Sequence, residues 1–347
     1  MLLSGADSNS PPGRLSRSVL SSQFRSGYGA SDGVSQTDQQ ASKPLCWALV
    51  GPTACGKSAI AFELARRHPV EIVSVDSMQV YRGMDIGTAK PTMQERALVP
   101  HQMIDVLDPD QTCNVGWFSR VALRVIKGIQ ARGKRPFLVG GSALYLKGVI
   151  WGLMEGPSCD QGLRRRLCRE AEKHGGHALH RRLTRVDPRA ARRIHPNDVK
   201  RLVRALEVHE LTGSPISARQ DQFEGPPRLG DRMVGLRWPR ALLYDRIDRR
   251  VDRMMEAGLL EEVAGLRDRL GAQARQALGY KQLLAYLDGR IGLDEAVRRI
   301  KRDTRRFAKH QLTWLRRFPQ AHWIDVAEHD GLSEVARRCE KALLVAA

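Results

Sequence analysis

The sequence is short of the features that mark secreted or membrane-embedded proteins. Its six cysteines are Cys46, Cys55, Cys113, Cys159, Cys168 and Cys339, and no two are spaced C-x-x-C. That excludes a zinc ribbon or a thioredoxin-type motif. With no secretory signal read at its start, a chain of 347 residues is not expected to carry a disulfide framework. No apolar run approaches the roughly 20 residues that cross a bilayer. The expectation is a reduced, cytoplasmic setting with no membrane partner.

Aromatic residues are scarce at 5%, so the core implied by 42% hydrophobic residues is mainly aliphatic. Acidic residues are outnumbered, 38 against 57 Lys and Arg, which leaves a formal net charge of +19. Such a surplus attracts polyanions, nucleic acid first and an anionic membrane surface second. A merely solvated basic surface is the bland alternative.

Residues 1–43 are rich in Ser, Gly, Gln and Arg and lack apolar periodicity. They cannot bury enough surface to offset their ordering entropy, and read as a disordered extension. A transit peptide is the alternative, and Asp7 and Asp32 weigh against it. From residue 44 the pattern becomes α/β. "CWALVG", "VEIVSVDS", "HQMIDVLDP" and "RPFLVGGS" read as strands, with helical spacing between and after them. Alternation of this kind predicts a parallel sheet with ligands beyond the carboxyl ends of its strands.

Residues 158–230 read as a basic helical insertion that ends in the Pro/Gly-rich stretch "RQDQFEGPPRLGDR". "RMVGLRW" resumes the core, assigned to 231–330 after a first part at 44–157, and a final helix occupies 331–347. In "DEAVRRIKRDTRRFAKHQLTWLRRF", Val297, Ile300, Thr304, Phe307 and Trp314 mark one helical face. Phe307 and Trp314 are therefore expected in the core. The arginines off that face are candidates for RNA or for plain solvation.

The most informative short segment is "GPTACGKS", Gly51–Ser58, between a strand and a helix. It satisfies G-x-x-x-x-G-K-[ST]. Gly51 and Gly56 let the backbone curl so that successive N–H groups converge on a phosphate, and the following helix adds its positive end. Lys57 would reach the outer phosphate, and the Ser58 hydroxyl would ligate Mg²⁺. A hydrolytic NTPase also places an acid at the end of a later strand. "RPFLVGGS" has none there. The best-placed acid is Asp76, after the second strand, as a holder of metal-bound water, as a base, or as a simple turn former. His174, His177 and His180 in "HGGHALH" read as an exposed helix end rather than a metal site, and His101 and His195 as packing or capping residues.

Taken in order, "GPTACGKS", "VSVDSMQVYRGMDIGTAKP", "HQMIDVLDP", "LVGGSALYLKGVIWG", "DPRAARRIHPNDVKRLVRALEV", "ALGYKQ" and "TRRFAKHQLTWLRRF" resemble the bacterial tRNA dimethylallyltransferases over roughly residues 45 to 325. The resemblance implies a P-loop NTPase-like parallel sheet with a helical insertion. It implies a monomeric, Mg²⁺-dependent transfer of the dimethylallyl group from dimethylallyl diphosphate to N6 of the adenosine 3′ of the anticodon in tRNA. Gly51, Pro52, Thr53, Ala54, Cys55, Gly56, Lys57 and Ser58 would then hold the diphosphate, and Asp76 would accept the N6 proton. Asp76, Ser77, Met78 and Gln79 would line the adenosine pocket, and Ser142 would face the reacting centre with Lys57.

Arg164 would meet tRNA, together with Lys200, Arg201, Leu202, Val203 and Arg204. So would the stretch Arg275, Gln276, Ala277, Leu278, Gly279, Tyr280 and Lys281. The chain departs from the family pattern at Ser142, usually Thr, at His310, more often Arg, and at Cys55, commonly Ser. The rivals are a P-loop small-molecule kinase using ATP and an ATP-gated nucleic-acid-binding protein.

Overall fold

The run Trp47–Val50 is buried on both faces, as the central strand of a parallel sheet must be. The computed structural model describes residues 46–152, 157, 159–218, 227, 229 and 232–345. The extension 1–43 and nearly all of the Pro/Gly-rich stretch lie outside the described residues.

In chain order the elements are β1 (Trp47–Val50), α1 (Lys57–Arg67), β2 (Val70–Val75), α2 (Met93–Leu98), β3 (His101–Gln102), α3 (Val115–Ala131), β4 (Arg135–Gly140) and α4 (Ala143–Ile150). Then come four helices, α5 (Gln161–His174), α6 (Gly176–Val186), α7 (Pro188–Arg193) and α8 (Val199–Thr212). The chain continues through β5 (Arg232–Arg237), α9 (Arg240–Glu256), α10 (Leu259–Leu266), α11 (Tyr280–Leu287), α12 (Leu293–Leu315), β6 (Ala321–Asp325) and α13 (Leu332–Leu344).

The six strands are ordered β3-β2-β4-β1-β5-β6 and pair in parallel throughout. Successive β1 side chains serve opposite layers. Trp47 and Leu49 join a cluster with Ile60 and Leu64 of α1 and Val335 and Leu343 of α13. Ala48 and Val50 join one with Phe118 and Ile126 of α3 and Leu146 of α4. Helices on both faces are what a parallel sheet requires.

Two strand expectations change. The third strand is only His101–Gln102, because Met103 and Asp105 adopt left-handed φ values of 64° and 56°, which end the extended run. β6 is a strand in a stretch to which the sequence reading assigns none. It pairs with β5 along Met233–Arg237, so long-range pairing rather than local pattern creates it.

Helices α5–α8 surround a hydrophobic cluster of their own, built from Leu167, Leu179, Leu183, Leu202 and Leu206. Aspartates begin three of them. Asp160, Asp187 and Asp198 accept hydrogen bonds from the backbone N–H of Leu163, Ala190 and Arg201, satisfying first-turn donors. Among the described residues no helix is long and apolar enough to cross a membrane.

Candidate functional site

Strand register brings the motifs together. Gly140 of β4 lies level with Val50 of β1 on one side and with Val75 of β2 on the other. The glycine-rich loop, Asp76 and the Gly141–Ser142 turn therefore leave the sheet at the same edge, at its carboxyl end.

The loop is shaped by two left-handed residues, Ala54 (φ 63°) and Gly56 (φ 94°). Glycine suits the second position because a Cβ there would be strained. Three loop carbonyls are held by side chains: Pro52 O by Lys57 Nζ (2.7 Å), Ala54 O by Arg246 Nε (2.9 Å) and Cys55 O by Trp238 Nε1 (3.0 Å). The Arg246 guanidinium also stacks 4.3 Å from the Trp238 ring centre. On the other side Gln311 Oε1 accepts from the Thr53 N–H at 2.8 Å. Helix α1 then starts with no side-chain cap and no acid in its first turn, leaving its first N–H donors to an anion.

Beside this helix start is a cavity of about 400 Å³. Its walls are Gly56, Lys57 and Ser58 on one side and Arg246, Arg249, Arg250 and Arg253 of α9 on the other. The spacing i, i+3, i+4, i+7 puts all four arginines on one face of the helix. None of the four forms an ion pair with a described residue. Burial pushes the Arg246 and Arg250 guanidiniums down from their ordinary value, and the neighbouring Arg253 pushes the same way. Positive charge gathered in this way is suited to a polyanionic ligand. Sequence reading missed these arginines. The only signal was their helical spacing, hidden in a chain rich in arginine everywhere.

Two further cavities, of about 470 Å³ and 280 Å³, share Thr53, Asp76, Thr88, Arg250 and Phe307. The smaller also reaches Lys57 and Ser58. Asp76 thus borders the phosphate loop directly. Its Oδ1 accepts from the N–H of Met78 (2.8 Å) and more weakly Gln79 (3.4 Å). Its turn-forming role is therefore real, and Oδ2 has no hydrogen bond from a described residue. Ser142 begins α4 with no cap bond from its side chain and lines the larger chamber, as do Ser77, Met78, Gln276, Ala277, Leu278, Gly279 and Lys281. Gln79 is tied down by Ser74 Oγ (2.7 Å) and by the carbonyls of Thr88 (3.1 Å) and Ala89 (3.3 Å).

Several expected RNA contacts are engaged elsewhere. Arg164 makes two 2.9 Å hydrogen bonds to Glu207, and Arg204 Nη1 adds one at 2.6 Å. Burial alone would push the Glu207 carboxyl up; these bonds outweigh it and hold it below the usual carboxylate range. Arg164 and Arg204 are thus hub residues of the α5–α8 segment. Arg275 donates to Arg267 O at 2.7 Å. The side chains of Leu202, Val203 and Tyr280 are buried and present no surface to RNA. Lys200, Arg201 and Lys281 remain exposed. His180 Nε2 lies 3.0 Å from Ala191 O. No group of three or more potential metal ligands occurs among the described residues.

The expectation that Phe307 and Trp314 are core residues is wrong. They are 42% and 37% exposed. The buried stripe of α12 runs through Ala296, Ile300, Ala308, Gln311 and Leu315. At 100° per residue Phe307 and Trp314 sit about 40° and 60° round the helix from Gln311, on the side away from Ala308 and Leu315. Both face a cavity of about 770 Å³ between the core and the helical segment, with Leu144, Ile194, Arg193 and Arg201 among its walls.

A family model described as IPP transferase matches residues 79–318, and one described as isopentenyl transferase matches residues 45–101. The chain belongs to the IPP transferase family. It is 51% identical over 281 residues to a tRNA dimethylallyltransferase of Symbiobacterium thermophilum, covering 80% of this chain and 88% of that protein. It is 47% identical over 290 residues to the one of Shouchella clausii, covering 83% and 93%.

Among solved structures, the tRNA isopentenylpyrophosphate transferase of Bacillus halodurans is 43% identical, with a TM-score of 0.63 over 87% of this chain and 97% of that one. A eukaryotic dimethylallyltransferase acting on tRNA is 27% identical, with a TM-score of 0.69 over 83% and 75%. These relatives lend no support to the kinase alternative.

Proposed function

We propose that this IPP transferase moves the dimethylallyl group of dimethylallyl diphosphate to N6 of the adenosine 3′ of the anticodon in tRNA. The observation that carries the reading is the direct opening of the arginine-walled phosphate loop onto Asp76. The C1–O bond to diphosphate breaks and the C1–N6 bond forms. One N6 proton passes to Asp76 Oδ2, and the diphosphate leaves with the electron pair of the broken bond. The exocyclic amine is a weak nucleophile, so losing a proton as it attacks lowers the barrier. Lys57, Arg246, Arg250 and the loop N–H groups face the charge that grows on the leaving group. The target base must leave the anticodon stack to reach Asp76.

The donor set suits Mg²⁺. Ser58 offers a hydroxyl beside the phosphate loop. An ion that keeps most of its waters and binds mainly substrate phosphate needs little more. Bound there, it would add positive charge opposite the diphosphate.

In our reading residues 158–230 form the insertion that grips the anticodon arm, with Lys200 and Arg201 on phosphates. The enzyme acts as a monomer in the cytoplasm. The test combines protein, Mg²⁺, labelled dimethylallyl diphosphate and unmodified tRNA, with labelled ATP in a parallel tube. Label on N6 of the adenosine with ATP inert is expected. Phosphate transfer from ATP without prenylation would overturn the reading.

A further inference from the structure

Glu262 of α10 borders none of the cavities above, yet it makes the densest set of backbone contacts near them. Its carboxylate accepts from three successive N–H groups, those of Asp85 (2.8 Å), Ile86 (2.7 Å) and Gly87 (3.0 Å), and from the Tyr280 hydroxyl. Successive N–H groups converging on one point form an anion nest. Here the anion is the protein's own side chain, reaching across 175 residues of sequence to Gly87.

The fit is tight. A Cβ on Gly87 would meet the Tyr280 ring at 2.4 Å, so only glycine allows the loop to lie this close. Burial and the Glu262 carboxylate push the Tyr280 phenol up, so it stays a donor. The next residue, Thr88, borders both Asp76 chambers, and the Thr88 and Ala89 carbonyls hold the Gln79 amide. Lys90 anchors the far end of the loop through Asp85 (2.7 Å) and Asp105 (2.6 Å).

We propose that Glu262 is a positioning residue for the acceptor side of the chamber: it fixes loop 85–89, and through it Thr88 and Gln79 beside Asp76, without touching substrate. The role, though not the capping itself, rests on the transfer reading above. The phosphate loop is held by other residues, Gln311, Trp238 and Arg246. The two sides of the site are therefore positioned independently, and loss of Glu262 should disturb the acceptor and spare the donor.

The test uses E262Q, in which one acceptor oxygen becomes an NH2 group, alongside E262A and E262D. Amide exchange of residues 85–87 is followed in the protein alone, and kinetics are measured with tRNA and donor each varied. Expected in E262Q are exchange at least tenfold faster, a KM for tRNA raised about tenfold and a KM for the donor within twofold of wild type. E262D should recover part of the tRNA effect, and E262A should be worse than E262Q. Unchanged exchange, or equal losses toward both substrates that track the fraction of folded protein, would overturn the proposal. If the wild-type protein transfers nothing, the functional reading fails. Exchange, together with donor-free tRNA affinity of E262Q, then decides Glu262 separately: a weakened affinity supports the role and an unchanged one refutes it.

Discussion

Replacing Arg250 by glutamine should weaken donor binding and stabilise the fold at the same time. Arg250 stands where the arginine-walled cavity meets both Asp76 chambers and has no carboxylate partner among the described residues. Burial pushes its guanidinium down, Arg253 adds to that, and Asp76 only partly opposes both. A cation whose charged form the fold disfavours costs stability at every pH where it stays charged, which for arginine is the whole working range. Removing it should raise the melting temperature by a few degrees.

In the proposed transfer the same charge would face the diphosphate. Two unit charges at about 4 Å are worth about 4 kcal/mol at an effective dielectric near 20. Several cations share the ligand, so one charged hydrogen bond, about 1.5–3 kcal/mol, is the better measure of a single residue's share. That corresponds to a roughly 10- to 150-fold weaker donor affinity. Calorimetry with the unreactive thiolo analogue of dimethylallyl diphosphate, alongside a thermal melt, reads both quantities. Unchanged affinity with a lowered melting temperature would refute the reasoning, since it would mean that Arg250 serves the fold and not the ligand.

Asp76→Asn keeps an Oδ1 that can accept from Met78 N–H, so the turn should survive; turnover should fall by about 100-fold or more while tRNA affinity in a filter-binding assay stays nearly constant. Full turnover would remove Asp76 as the base. Arg164→Gln should lower the melting temperature, because it removes one of the two arginines that hold the buried Glu207, and should leave the salt dependence of tRNA binding unaltered. Lys200→Gln should do the opposite, flattening the slope of log affinity against log salt by about one phosphate contact. Phe307→Ala or Trp314→Ala should change stability by about 1 kcal/mol or less. Each should still weaken RNA binding by roughly 1–3 kcal/mol if a base stacks there, as a melt and a titration on the same samples would reveal.

The phosphate loop was legible because it is a local device. Gly56, Lys57 and Ser58 act through a backbone curl and a helix start encoded within eight residues, Gly51–Ser58. Asp76 was legible for a similar reason, at the end of a strand whose apolar run shows in the sequence. The α/β alternation followed from periodicity. Partner choice did not. Lone arginines look alike in a chain with 57 Lys and Arg residues. Only the tertiary contacts separate Arg164 and Arg204, held by a buried Glu207, from Arg246 and Arg250, which line a cavity beside the phosphate loop and form no ion pair with a described residue. Strand β6 needed the open edge of β5 before its short run could pair. Phe307 and Trp314 fit the apolar stripe of α12 in sequence, yet they lie on the side of Gln311 away from the buried Ala308 and Leu315 and line a cleft. The sequence by itself determined the loop, its acid and the sheet that carries them, since each depends on neighbours in the chain. Which charges are free, which aromatics are exposed and which carboxylate holds the acceptor loop were decided by groups far apart in sequence, and so only by the folded structure.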